Sequence, residues 1–221
     1  MSILEVRNVS YTYATQYQKT QALKNVSLSF EAGYVYAITG KSGSGKTTLL
    51  SLMAGLDLPG EGEILCEGVS TSKTDLSAYR RTKAAVIYQS FRLLPLLTVA
   101  ENIMFPLELS GMAAKEAKKQ AVRLMKRVSL PKEYANRYPT MLSGGEQQRV
   151  AIARALAMNT KILLADEPTG NLDSANSENI MNILSAFAHE EGYCVIIVTH
   201  DEAIAGASDY VIHMSDGCVS A

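Results

Sequence analysis

An apolar strand, a glycine-studded turn and a helix follow one another from residue 34 to about residue 55, and this succession restricts the fold more than any other feature. Tyr34-Val35-Tyr36-Ala37-Ile38-Thr39 is apolar enough for a buried strand. Gly40-Lys41-Ser42-Gly43-Ser44-Gly45-Lys46-Thr47 then fits the pattern GxxxxGK[ST], and a helix runs from about Lys46 to a stop near Gly55. Glycines in such a turn let successive backbone N–H groups point inward, and the helix adds the positive end of its dipole. The result is a cradle for a chain of phosphates. Lys46 is placed to reach the β- and γ-phosphates, and the Thr47 hydroxyl to ligate Mg²⁺. Gly40, Lys41, Ser42, Gly43, Ser44, Gly45, Lys46, Thr47 and Thr48 are the candidate nucleotide contacts.

Two later runs, Ile162-Leu163-Leu164-Ala165 and Val195-Ile196-Ile197-Val198, are apolar on both faces and read as buried parallel strands; residues 84–88 form a third buried strand. Helical periodicity through Ile180, Ile183, Leu184 and Phe187 predicts a helix over 174–189. Ahead of the turn, Ile3, Val6 and Val9, then Val26, Leu28 and Phe30, predict half-buried antiparallel strands joined by a polar hairpin loop over 14–21. Residues 64–66 add another short strand, closed by Glu67-Gly68. From residue 98 to 156 the pattern is helical, with the Lys- and Ala-rich stretch 115–127 a solvated helix. The fold class is therefore α/β: a core about 1–90 and 159–221, interrupted by a helical subdomain about 91–158, all within one domain of 221 residues.

Composition narrows the partners. With 21 basic against 22 acidic residues there is no excess of positive charge, which argues against a nucleic-acid partner. Met1 leads directly into an alternating strand rather than a targeting leader, and the longest apolar runs are strand-sized. Cys66, Cys194 and Cys218 are scattered and odd in number, the usage of a reducing compartment. A cytoplasmic chain is expected, with any membrane role exercised through a partner.

Chemistry-bearing residues cluster at strand ends. Lys161-Ile162-Leu163-Leu164-Ala165-Asp166-Glu167 delivers two carboxylates to the edge of the sheet where α/β folds bind ligands. Asp166 is the candidate Mg²⁺ carboxylate, and Glu167 the candidate base that orients and polarises an attacking water. His200 follows the strand 194–199, and Gln89 follows the strand 84–88. Tyr11 and Tyr13 share a strand face by period 2, and both are candidates to stack on a base.

Leu142-Ser143-Gly144-Gly145-Glu146-Gln147-Gln148-Arg149, lying between the phosphate loop and the Asp-Glu strand, resembles the signature motif of ABC-type ATPases. Every other motif stands in that family's order, and the resemblance covers essentially the whole chain. It implies a P-loop NTPase (RecA-like) core with an N-terminal antiparallel β-subdomain and an inserted α-helical signature subdomain. It also implies ATP as ligand, two subunits that clamp ATP between them, and an integral membrane permease as partner, with the ATPase held at the inner face of the cell membrane through that permease.

The same resemblance assigns roles. Tyr13 is favoured as the adenine plate, Gln89 reaches Mg²⁺ and the attacking water, and His200 contacts the γ-phosphate. Asp173, in Gly170-Asn171-Leu172-Asp173, belongs to a loop that crosses to the opposite subunit. Ser143, Gly144 and Gly145 act in trans, on the γ-phosphate held by a second, identical subunit, with the signature helix starting near Gly145. Ser143 equally suits a helix N-cap, and the two roles are compatible. The segment 91–97 is the candidate groove for a permease coupling helix.

Residues 88–102, with Tyr88-Gln89 and Leu94-Pro95-Leu96-Leu97-Thr98-Val99-Ala100-Glu101-Asn102, and the Ala165–Ser174 stretch look most like the lipoprotein-release and macrolide-export branch, the LolD and MacB ATPases. Ser90 stands where that branch commonly has a second Gln, and no fused membrane domain of the MacB kind is expected. The alternative readings are a soluble ABC ATPase acting on a non-membrane partner, a small P-loop kinase and a silent binding module. The signature motif disfavours a kinase; the presence of Glu167 and His200 disfavours silence.

Overall fold

Strands apolar on both faces have to lie inside a sheet that is covered twice. The structure, a computed structural model describing residues 2–14 and 18–220, places them there. Its elements are β1 (Ser2–Ala14), β2 (Lys19–Glu31), β3 (Val35–Thr39), α1 (Lys46–Met53), β4 (Glu61–Cys66), β5 (Val69–Ser70), α2 (Leu76–Thr82) and β6 (Ala84–Tyr88). They continue with α3 (Val99–Leu109), α4 (Ala114–Arg127), α5 (Gly144–Ala157), β7 (Ile162–Asp166), α6 (Ser174–Glu191), β8 (Cys194–Val198), α7 (Glu202–Gly206), β9 (Tyr210–Ser215) and β10 (Cys218–Ser220).

One sheet has the order β10-β9-β3-β8-β7-β6 and is parallel except for β10; the other, β2-β1-β4-β5, is antiparallel. Alternate residues of the central strands feed two cores. Ile162, Leu164, Ile196 and Val198 pack with α1 and the antiparallel sheet, through Leu49, Leu50, Val6 and Phe30. Leu163, Ala165, Val195 and Ile197 pack with the helices, through Ile103, Leu124, Ile152 and Leu184.

The antiparallel strands differ from the expected register. Leu4, Val6 and Val9 are the buried residues of β1, while Ile3 is only partly covered. Asn8 takes φ 49, and the pairing with β2 shifts between Val6 and Val9, so residues three apart face the same core. Of the polar loop expected over 14–21, residues 19–21 belong to β2 and residues 15–17 lie outside the described residues. The solvated helix expected over 115–127 is α4, which still buries Ala117, Ala121, Leu124 and Met125. Among the described residues no helix is long and apolar enough to cross a membrane.

Pairing also aligns the strand ends. Ile38 pairs with Val198, Val198 with Asp166, and Asp166 with Tyr88, so β3, β8, β7 and β6 end level. Core and surface leucines should part clearly in chemical denaturation. Leu164→Ala, at a fully buried site, should cost about 3 kcal/mol; Leu96→Ala, at a side chain 87% exposed, should stay within about 0.5 kcal/mol. Equal losses would contradict this placement of the core.

Candidate functional site

The loop after β3 is shaped by what packs behind it. A Cβ on Gly40 would lie 2.1 Å from the Met214 carbonyl oxygen, and one on Gly45 would lie 2.5 Å from that of Ala22. Gly45 is the N-cap of α1 at φ 102 and supplies no capping side chain, so the first amides of the helix remain available to an anion. Lys46 is buried, and its Nζ donates to the carbonyls of Gly40 (2.7 Å) and Lys41 (3.0 Å), which holds the ammonium over the loop. The Ser44 hydroxyl is buried without a partner among the described residues.

This loop floors a cleft of about 890 Å³ whose walls include Tyr13, Lys24, Thr48, Glu167, His200 and Asp216. The two tyrosines of β1 separate here. Tyr13 is half exposed, faces the cleft and comes within 3.2 Å of the Thr48 hydroxyl. Tyr11 packs edge-on against it at 4.9 Å and donates its phenol proton to Asp57, which pushes the phenol pKa up to about 12.

At the end of β7 the carboxylates diverge. Burial first, and then the neighbouring Glu167 charge, push the Asp166 carboxyl above the usual range, against a hydrogen bond from Thr47 and the charges of Arg92 and Lys46. Glu167 sits at φ 48, its amide bonded to the Val198 carbonyl (2.9 Å). One carboxylate oxygen shares a hydrogen bond with His200 Nδ1 (2.8 Å), and the other accepts from the Thr199 hydroxyl (3.4 Å). His200 itself is largely exposed.

Gln89 stands on the far side of Asp166. It borders a smaller opening with Tyr88, Arg92, Asp166 and Asn171, and a Cβ on Gly170 would meet its Nε2 at 2.7 Å. The remaining candidates form a separate group, none of which borders the Lys46 cleft. Ser143 caps α5 in a capping box with Glu146, and the helix starts at Gly144, one residue earlier than expected. Gly144 faces Leu172 and Phe91, and Gly145 leaves no room for a Cβ beside Asn176. Asp173 caps α6 by accepting from the Asn176 amide (2.8 Å); that bond and a second from the Asn176 side chain hold its carboxyl below the usual range.

Two features of the site carry no expectation from sequence. The Asp216-Gly217 turn between β9 and β10 braces the phosphate loop: Gly217 N donates to the Ser44 carbonyl (3.1 Å), and Lys24 N donates to that of Gly217 (2.8 Å). An Asp-Gly pair between short apolar segments is itself a hairpin signal. Arg154 of α5, whose guanidinium donates to the carbonyls of Phe91 and Arg92 beside Gln89, lies inside a helical stretch and gives no signal.

A parallel sheet carrying this loop, with Asp-Glu and His at adjacent strand ends, defines a nucleotide hydrolase. The model of the ABC transporter family matches residues 23–170, and the chain belongs to that family, as its ATP-binding and ATP-hydrolysing component. It is 42% identical to the uncharacterized ABC transporter ATP-binding protein MJ0796 of Methanocaldococcus jannaschii, over 97% of this chain and 94% of that one. It is 41% identical to the macrolide export ATP-binding/permease protein MacB of Neisseria gonorrhoeae, over 98% of this chain but 34% of MacB. A dimeric, post-hydrolysis structure of MJ0796 bound to ADP and Pi superposes with a TM-score of 0.90, at 42% identity, over 99% of this chain and 97% of that one.

Replacing Lys46 removes the charge that the loop holds in place. Lys46→Ala should weaken ATP binding measured by calorimetry about 10- to 100-fold, the range for one hydrogen-bonded charge. Unchanged affinity would refute its contact with the phosphates.

Proposed function

We propose that each chain binds one ATP in the Lys46 cleft and that two chains close head-to-tail to hydrolyse it. The observation that carries this reading is the division of the candidate residues. Tyr13, residues 40–48, Glu167 and His200 share a cleft, whereas Ser143, Gly144, Gly145 and Asp173 stand apart from it. A second copy supplies the missing half, and the dimeric form of MJ0796 supports this arrangement.

Within a protomer, Tyr13 stacks on the adenine, the loop amides and Lys46 hold the phosphates, and Ser143 with the glycines of α5 meets the γ-phosphate of the partner's ATP. Among the described residues no group of three or more His, Cys, Asp or Glu could hold a metal unaided. The donors are one hydroxyl, one carboxylate and one amide, from Thr47, Asp166 and Gln89. That set of oxygen donors suits Mg²⁺, which takes few protein ligands and completes its shell with phosphate oxygens and water. When bound, Mg²⁺ would neutralise charge on the phosphates.

Glu167 orients the attacking water and takes its proton. His200, bonded to the same carboxylate, fixes that side chain and reaches the γ-phosphate. Loss of the γ-phosphate on hydrolysis removes the group bridging the two chains and reopens the dimer.

The chain would act beneath a separate permease at the inner face of the membrane, driving export or mechanical work of the lipoprotein-release or macrolide type. Its likeness to one third of MacB, an ATP-binding/permease protein, supports that reading. Leu96, 87% exposed within 91–97, is a candidate contact for the permease. The chain divides into a core about 1–90 and 159–221 and a helical subdomain about 91–158, supported by the mutual packing of α3, α4 and α5.

Glu167→Gln keeps the hydrogen-bonding shape and removes the base. ATP turnover should fall at least about 100-fold with ATP affinity retained, the range for a general base. Turnover at the wild-type rate would remove Glu167 from that role.

A further inference from the structure

The segment leaving β6 is bent in a way that ordinary residues resist. Phe91 (φ 59) and Arg92 (φ 45) are consecutive non-glycine residues in the left-handed region, and the Arg92 amide turns back onto the Ser90 carbonyl. A hydrogen bond between residues two apart, with a left-handed residue between them, is the rare and strained sense of γ-turn. Such a turn persists only where its surroundings hold it.

What holds it is Arg154, ten residues into α5. Its Nη1 donates to the Arg92 carbonyl (2.6 Å) and its Nη2 to that of Phe91 (2.9 Å), so one planar fork grips both left-handed residues. The Arg154 side chain is half-buried, and that burial draws its pKa below the ordinary range. Two further contacts tie the turn down. The Arg92 guanidinium lies over the Tyr88 ring at 3.7 Å, and the Phe91 ring lies near the Gly144 backbone at the start of α5. The turn therefore touches α5 at both ends, while Gln89 leads into it from the strand beside Asp166.

We infer that Arg154 is a positioning residue for Gln89: its fork fastens the strained turn that follows Gln89 to α5, and so fixes where the Gln89 carboxamide stands beside Asp166. The inference rests on the role proposed above for Gln89 as a donor to Mg²⁺.

The test is a double-mutant cycle on ATP turnover, using Arg154→Met, Gln89→Ala and the combined variant, with ADP affinity and thermal midpoint measured on each. Arg154→Lys, which keeps the charge but not the fork, runs through the same cycle and carries the test if the Met variant does not fold. Arg154→Met should lower kcat about tenfold and leave ADP affinity within about twofold, and adding it to Gln89→Ala should cause no further loss, as expected when one residue acts through the other. Arg154→Lys should fall between wild type and Met. If Gln89→Ala is slow and the combined variant shows the product of the two single losses, Arg154 acts independently of Gln89 and the inference is wrong. If Gln89→Ala turns over at the wild-type rate, the role proposed for Gln89 falls, and this inference falls with it.

Discussion

The hydrogen-bonded succession β3-β8-β7-β6 is the constraint on which the rest of the structure depends. Because Ile38, Val198, Asp166 and Tyr88 are joined in register, the residues just beyond them emerge side by side at one edge. Gly40 starts the phosphate loop, Thr199 and His200 follow β8, Glu167 follows β7 and Gln89 follows β6. No two of these elements are adjacent in sequence except through long excursions, so the site exists only when the whole sheet is paired. The strands are buried on both faces, which forbids a slip of one residue: it would exchange the two cores, sending Leu163 and Val195 to the side that Leu164 and Ile196 now fill.

Around that edge the chain accepts conformations that cost free energy. Glu167, Phe91 and Arg92 are all left-handed without being glycine. Each of them is held by a bond from elsewhere in the fold: Glu167 through the carbonyl of Val198, and the 91–92 turn through Arg154. Residues in such regions gather where geometry has to be exact for chemistry. The signature group, by contrast, is relaxed. Ser143 and Asp173 are ordinary helix caps, complete within one chain, and leave their helix ends facing outward.

How much of this was legible in the sequence depended on range. The phosphate loop, the Asp-Glu strand and the His after β8 are local patterns, with the chemistry and the flanking elements in the same few residues. The central strands were readable because burial on both faces leaves an unbroken apolar run. Pairing decisions were not. That Leu4 rather than Ile3 faces the core follows from the bulge at Asn8, which only the partner strand reveals. Tyr11 and Tyr13 share a face, yet Asp57, distant in sequence, draws the Tyr11 hydroxyl away and leaves Tyr13 at the cleft. Asp216-Gly217 carried a visible turn signal, but its contact with Ser44 spans most of the chain. Arg154 lies in a helix whose periodicity shows burial and cannot show what a half-buried guanidinium grips.

On the proposed reading the molecule is half of a catalytic unit: the cleft holds the phosphate loop, Glu167 and His200, and the residues around Ser143 border no part of it. The most direct test of that account is the solution mass, by light scattering, of Glu167→Gln and of Glu167→Gln with Ser143→Arg, each in ATP and in ADP. The account predicts that Glu167→Gln has the mass of two chains in ATP and of one in ADP, while the Ser143→Arg form stays at one chain in both, with ATP still bound. A two-chain mass for the Ser143→Arg form in ATP would contradict the claim that one chain's signature completes the other's site.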